Sequence, residues 1–214
     1  MNKDNYIITI GRQLGSGGAS MGKMIAAHFG FRYVDREILI KASEQLHIPH
    51  ENLEWIEEKN FSIWGAFLQA NVYDMQYVPE EWYMPTSRQL FETQTRIIEK
   101  MADESSCVVV GRCGSYLFEN HPNHASLFLH AGLKNRMERL EQSGKMELFG
   151  TDAKKAIEKE DKDRGRYYNA YTGRKWLDLT NYDLCIDTGS VGHEAQVKET
   201  IINYLYLRFP ELKK

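Results

Sequence analysis

Cysteine is scarce in this chain of 214 residues: Cys107, Cys113 and Cys185 are odd in number, widely spaced, and form no C-x-x-C pair. A disulfide framework and a cysteine zinc site are therefore excluded, and a reducing, cytoplasmic setting is expected. Long apolar runs are missing too. Nowhere do the roughly 18 consecutive apolar residues of a membrane span occur, and the run before Gly11 is too short for a signal-peptide core. Positive charge is not in excess: 27 Lys and Arg stand against 30 Asp and Glu, a net charge of −3, which argues against a wholly basic nucleic-acid binder. The seven histidines show no metal spacing, and His121 and His124, flanking a Pro-Asn loop, are expected at the surface. With no repeat, low-complexity tract or linker, and 42% hydrophobic residues to build a core, residues 1–214 are expected to form one domain.

What is present reads as alternating strands and helices. Tyr6 to Ile10 (YIITI) is a buried strand, followed by a glycine-rich turn, a helix from Ala19 to Phe29 with Met21, Ile25 and Phe29 on one stripe, and a second strand, Phe31 to Val34. Asp35 is a plausible N-cap for a further helix. An aromatic-rich stretch, 55–83, is expected to supply core or a homo-oligomer interface. Thr86 to Gln89 spells a T-x-x-Q capping box. Strands are then expected at Cys107–Val110, Ser126–Leu129 and Leu184–Asp187. Helices are expected at Leu133–Gln142, Lys154–Tyr168 and Glu194–Phe209. Such alternation points to an α/β fold with a parallel sheet.

The most informative segment is Gly11-Arg12-Gln13-Leu14-Gly15-Ser16-Gly17-Gly18-Ala19-Ser20, between a strand and a helix. Glycines there let successive backbone N–H groups converge on an anion, and the following helix adds its positive end. The usual phosphate loop, G-x-x-x-x-G-K-[ST], fits in one register only formally: Gly17 to Lys23 matches, but Met24 replaces the hydroxyl residue and the helix would be very short. The other register puts Gly18 where the lysine belongs and leaves a helix of ordinary length. Lys23 then falls on the solvated face, and Arg12 becomes the candidate for the missing cation.

Six segments in order resemble the nucleoside monophosphate kinases, and among them a cytidylate-kinase-like family whose loop reads G-R-x-x-G-S-G-G. They are Ile7 to Gly18, Phe31 to Ile38, Val108 to Arg112, Leu127 to Leu129 with Arg136 and Arg139, the arginine-rich stretch Glu160 to Arg166, and Tyr182 to Thr188. The resemblance implies a three-layer αβα P-loop kinase fold with a five-stranded parallel sheet, an acceptor-binding insert at 36–85 and a lid at 150–175. It also implies ATP-dependent phosphoryl transfer to a nucleoside monophosphate, CMP or dCMP first, with ATP and Mg²⁺ as cofactors. The partner would be a small-molecule nucleotide, with neither nucleic acid nor membrane expected. Three departures stand out: Gly18 replaces lysine, Val110 and Cys113 replace the two aspartates flanking G-R in cytidylate kinases, and residues 50–85 match no known insert.

On this reading Gly15, Ser16, Gly17, Gly18, Ala19 and Ser20 hold the ATP phosphates, and Ser20 either contacts Mg²⁺ or fills the first helical turn. Arg12, Arg164 and Arg166 are the catalytic cations, the last two on the expected lid; as a plain charge run the same stretch would be a solvated, salt-bridged helix. Asp35, Arg36, Lys41, Arg88, Gln94 and Arg112 are the acceptor-binding candidates. Arg112 follows a buried strand at the edge where open α/β sheets bind ligands, as phosphate contact or structural ion pair. Asp35 either caps a helix or holds Mg²⁺ through water. Gln94, on an apolar stripe, needs a partner, either a nucleobase edge or backbone. Asp187 and Thr188 approach adenine or form a turn. Two other classes stay open: a non-catalytic nucleotide sensor, and a kinase of another small acceptor.

Overall fold

A computed structural model describes residues 2–35, 87–144 and 153–213. Five strands form one parallel sheet: β1 (Ile7–Arg12), β2 (Arg32–Val34), β3 (Cys107–Val110), β4 (His124–His130) and β5 (Leu184–Asp187), in the order β2-β3-β1-β4-β5. The described helices are α1 (Gly18–Phe29), α2 (Ser87–Glu104), α3 (Gly114–Leu117), α4 (Leu133–Gln142), α5 (Ala153–Thr172) and α6 (Glu194–Arg208).

The strands are short runs of branched apolar residues because both sheet faces are covered. Along β1, side chains alternate. Ile8 and Ile10 join Val108, Val110, Leu127 and Leu129 under α1 and α6, which contribute Met21, Ile25, Val197, Ile201 and Leu205. Ile7 points the other way, with Val34, Cys107 and Val109, against Ile97, Ile98, Met101 and Phe118. These two cores make the three αβα layers. Ile25 is fully buried, so truncating it to alanine is expected to cost about 2–5 kcal/mol.

Strand order reverses at β1: the chain goes from β1 to the edge strand β2 and back inward to β3 on one side, then crosses to β4 and β5 on the other. The crevice above the carboxyl ends of β1 and β3 is thus the expected ligand position in such a sheet. The register is fixed by parallel pairs, Ile7↔Cys107 through Ile10↔Val110 on one side of β1 and Ile7↔His124 through Arg12↔Leu129 on the other.

Some expectations need adjusting. α1 begins at Gly18 rather than near Gly22, which selects the register without a loop lysine, and Lys23 is exposed. Arg12 is not a loop residue but the last residue of β1. α5 extends beyond the expected 154–168, and the short α3 had no sequence signal strong enough to mark it. His124 is buried, not at the surface, because β4 starts two residues before Ser126 and carries it into the sheet. Its Nε2 lies 2.8 Å from the Thr9 hydroxyl, and burial lowers its pKa to about 4. His121 is half-buried and pairs through Nε2 with the Asn2 carbonyl. All three cysteines are free thiols. The T-x-x-Q box at Thr86, the helix expected after Asp35, most of the acceptor insert and the aromatic stretch 55–83 lie outside the described residues.

Candidate functional site

The turn after β1 is built to face its amides inward. Gly15 and Gly17 have φ of 78° and 84°, left-handed values that side chains resist. Ser16 closes the turn, its N–H and Oγ both donating to the Gln13 carbonyl at 3.2 and 2.8 Å. The loop carbonyls are held from outside. Arg136 donates to Leu14 O and Arg139 to Gly15 O, both at 3.3 Å, and the Thr188 hydroxyl donates to Ser16 O at 3.0 Å. With its carbonyls held from outside the loop is pinned in shape, and the N–H groups of Gly15 and Gly17 lead on to those of the first helical turn. Gly17 caps α1 without a side-chain hydrogen bond. The first-turn N–H groups of Gly18, Ala19 and Ser20 precede the helical ladder and carry the positive end of its dipole.

Arg12 crosses this loop. A Cβ on Gly18 would lie 2.6 Å from both Cβ and Cγ of Arg12, and a Cβ on Gly111 would overlap the Arg12 guanidinium Nη1. The aliphatic stem of Arg12 thus lies against Gly18 and its guanidinium against the Gly111 backbone. The space that a side chain at position 18 would use is filled by an arginine arriving from the neighbouring strand end.

Two more arginines reach the same place. Gly111, Arg112 and Cys113 all have positive φ (79°, 56° and 56°), a left-handed turn that brings Arg112 out of β3. Arg164, on α5, donates to the Arg12 carbonyl at 3.1 Å, and its side chain is 17% exposed. Burial lowers the pKa of both Arg112 and Arg164. The Arg12 charge pushes in the same direction, while Asp35 opposes it in both cases. For Arg164 the result is about 10, so it stays cationic at neutral pH. Three guanidiniums therefore share a partly desolvated site, with Asp35 on one side and Asp161 and Glu160 of α5 on the other, and their forks suit the oxygens of a phosphate. Asp35, at the end of β2, accepts the Tyr33 hydroxyl through Oδ2 at 3.0 Å.

α5 ties these parts together. Near its middle, Asp161 accepts the Leu14 N–H at 2.8 Å and pairs with Arg136, with Arg164 at 3.9 Å. Farther along, Tyr167 donates to Gln94 Oε1 of α2 at 3.5 Å, and Tyr171 stacks on Phe91 at 4.1 Å. One helix touches the glycine loop and α2. The solvated-helix reading of the charge run does not describe it: Glu160 and Asp163 are buried, although Arg166, paired with Asp163 at 3.4 Å, is about half exposed.

The remaining candidates divide. Gln94 is buried beside Tyr167, as its stripe position implies. Arg88 lies apart from the cluster, solvent-facing and paired with Glu92 four residues on, at 2.8 Å. Ser20 is exposed and donates to Glu194 Oε2 at 3.3 Å, filling the first helical turn. Arg36 and Lys41 lie outside the described residues. Asp187 and Thr188 form a turn: Asp187 accepts the Gly189 N–H, and Arg139 donates to the Thr188 hydroxyl and carbonyl at 2.8 and 2.7 Å. Among the described residues no group of three or more His, Cys, Asp or Glu side chains could enclose a metal.

Sequence reasoning passed over the outer supports, Arg136, Arg139 and Asp161, as sources of geometry. A signal was there: Arg136 and Arg139 are spaced i, i+3 directly after β4, which places both guanidiniums on one helix face. What no spacing shows is that the face looks at a loop 120 residues earlier.

The comparisons with known proteins agree with this architecture. A cytidylate kinase from Pyrococcus horikoshii is 28% identical over 197 residues, covering 91% of this chain and 86% of its own, and one from Pyrococcus abyssi is 25% identical over 210 residues, 96% and 98%. Among solved structures, a protein of Eubacterium ventriosum superposes with a TM-score of 0.64 at 25% identity, covering 94% of this chain and 98% of its own. The shikimate kinase of Bacteroides thetaiotaomicron shares the fold, with a TM-score of 0.55 at 12% identity over 94% and 97% of the two chains. Among the described residues no helix is long and apolar enough to cross a membrane. The family model for cytidylate kinase-like proteins matches residues 7–190, and the chain belongs to that family.

Proposed function

We propose that this protein transfers the γ-phosphoryl group of ATP to a nucleoside monophosphate, with CMP or dCMP favoured by its kinship. The observation that carries the reading is the path of Arg12: its stem lies on Gly18 and its guanidinium reaches Gly111, so a cation stands where the usual loop lysine would work. Arg12 stands in for that ammonium. The amides of Gly15 to Ser20 bind the β- and γ-phosphates. Arg112 and Arg164 flank the transferring group, Arg166 joins from the exposed edge, and Asp35 keeps the arginines correctly spaced.

Phosphoryl transfer needs in-line positioning and positive charge around the equatorial oxygens more than it needs covalent help. No general base is required, because a phosphate acceptor is already an anionic nucleophile near neutral pH. Mg²⁺, when bound, would neutralise charge developing on the phosphates, and Asp35 would hold it through water. In this reading α5 is the lid, and Arg164 is delivered with it. Tyr167 and Gln94, at the α5–α2 contact, border the acceptor.

The test combines ATP titration with product analysis over a panel of monophosphates. Conversion of CMP or dCMP to its diphosphate supports the proposal. ATP binding with no product on any acceptor would leave a nucleotide sensor, and product only on a non-nucleotide acceptor would reassign the substrate.

A further inference from the structure

Two buried polar atoms, one on α2 and one on α5, have no hydrogen-bond partner among the described residues: Nε2 of Gln94 and Oδ2 of Asp163. Neither is at the surface; Gln94 is 1% exposed and Asp163 7%. Buried donors and acceptors normally find partners, and leaving one unpaired costs free energy that folding must carry. Here one atom of each kind is left over, a donor on one helix and an acceptor on the other.

Each group is held at its other end by a neighbouring side chain. The Tyr167 hydroxyl holds one end of the amide, donating to Gln94 Oε1 at 3.5 Å and leaving the NH₂ to donate elsewhere; because a hydroxyl also accepts, the reversed amide would keep this contact and offer its oxygen instead. Arg166 engages Asp163 Oδ1, leaving Oδ2 to accept. Asp163 and Tyr167 are four residues apart on α5 and share a face. Phe91, Tyr167 and Tyr171 gather beside them, with Phe91 and Tyr171 stacked at an interplanar angle of 8°. Tyr167 also lies within electrostatic reach of Arg112, so this polar pair borders the arginine cluster.

We propose that Gln94 and Asp163 form the edge that reads the body of the phosphate acceptor. Gln94 Nε2 donates to a carbonyl oxygen or ring nitrogen, Asp163 Oδ2 accepts from an amine or ring N–H, and Tyr167 anchors the other end of the amide. The ligand class is a phosphomonoester carrying a flat heterocycle with adjacent acceptor and donor atoms, and a phosphorylated sugar without the ring leaves both groups unpaired. This rests on the reading that the arginines flank the transferring phosphoryl group and that the α5–α2 contact borders the acceptor.

The experiment measures binding of CMP, UMP, AMP and ribose 5-phosphate by calorimetry, and ligand-free melting, for wild type, Gln94→Met, Gln94→Glu and Tyr167→Phe. Wild type is expected to bind its preferred nucleotide at least ~10-fold more tightly than ribose 5-phosphate. Gln94→Met and Gln94→Glu should each erase most of that margin while ribose 5-phosphate and ATP affinities change less than ~2-fold. Tyr167→Phe, which removes the amide's anchor, should narrow the differences among the nucleotides. Ligand-free Gln94→Met should melt no lower than wild type, since the unpaired donor is gone. A merely structural glutamine gives the opposite pattern, lower melting with all ligands weakened alike, and overturns the proposal. So do nucleotide preferences unchanged in all three variants. If wild type binds none of the four phosphates, the phosphate-acceptor reading itself fails, and this one with it.

Discussion

A single methyl group at position 18 separates the arginine from the fold. In Gly18→Ala the new Cβ would sit 2.6 Å from Cβ and Cγ of Arg12 and 3.4 Å from Cδ. The clash is with the root of the side chain, whose backbone is pinned in the β1–β4 ladder opposite Leu129, so the relief available is a rotation that takes the guanidinium off Gly111. Gly18 is the first residue of α1 and its φ is not in the left-handed region, so alanine carries no backbone penalty and gains up to about 1 kcal/mol in helix propensity. Rotation clears Cγ but not Cβ, so α1 or the end of β1 must also give, and denaturant titration should show a loss on the order of 1–3 kcal/mol. Function should fall further: a charge-assisted hydrogen bond to phosphate contributes about 1.5–3 kcal/mol, which is roughly 10- to 150-fold in ATP affinity or kcat/KM. Arg12→Ala should lose a similar amount, at least ~10-fold. The double variant Arg12→Ala/Gly18→Lys, in which the stem is gone and an ammonium is restored, should recover part of the loss, whereas Gly18→Lys with Arg12 present should not. Calorimetric ATP titration and a coupled turnover assay read the four corners of this cycle. The reasoning is refuted if Gly18→Ala keeps affinity and kcat/KM within ~2-fold of wild type, or if the double variant is no better than Arg12→Ala.

Gly15→Ala forces a side chain into φ 78° with its Cβ 2.7 Å from the Arg136 carbonyl, a backbone neighbour that cannot swing away; it should lose more than ~1 kcal/mol of stability by denaturant titration together with ATP binding. Arg139→Ala removes donors to Gly15 O and to both oxygens of Thr188, so amide exchange across Gly15–Ser20 should accelerate at least several-fold, and unchanged exchange would remove Arg139 from the loop's support. His124, with its pKa lowered from 6.5 to about 4, is neutral in the fold while the unfolded chain takes up a proton first. Stability should therefore fall as pH drops from 6.5 to 4, by about 3 kcal/mol in all, and level off below that window. Denaturant midpoints at pH 7 and 4.5 should converge in His124→Gln relative to wild type; an equal acid loss in both would assign it to other groups.

The strands were legible because Ile-Ile-Thr-Ile and Cys-Val-Val-Val are short branched runs that only a sheet covered on both faces explains. Gly18 and Arg12 were legible as a pair because a glycine in the lysine's place, next to an arginine out of place, is a question the local pattern itself raises. His124 was misread, since a polar residue near Pro and Asn looks like a loop until its neighbour across the sheet, Thr9, offers it a hydrogen bond. The same holds for Asp161 and Arg136, whose partner is the backbone of Leu14: a carbonyl or an amide has no letter in the sequence. Arg88 failed for the converse reason, because Glu92 one turn away satisfies it before any ligand does.

The pairing of Ile10 with Val110 has a final consequence. Arg12 and Arg112 each stand two residues beyond that rung: Arg12 ends β1, and the left-handed turn of Gly111 to Cys113 carries Arg112 off the end of β3. The rung fixes where both segments start, and it cannot move without a slip that would turn every β1 side chain to the wrong face. The repulsion is permanent hardware, so whatever anion enters relieves a tension that the ladder itself refuses to release.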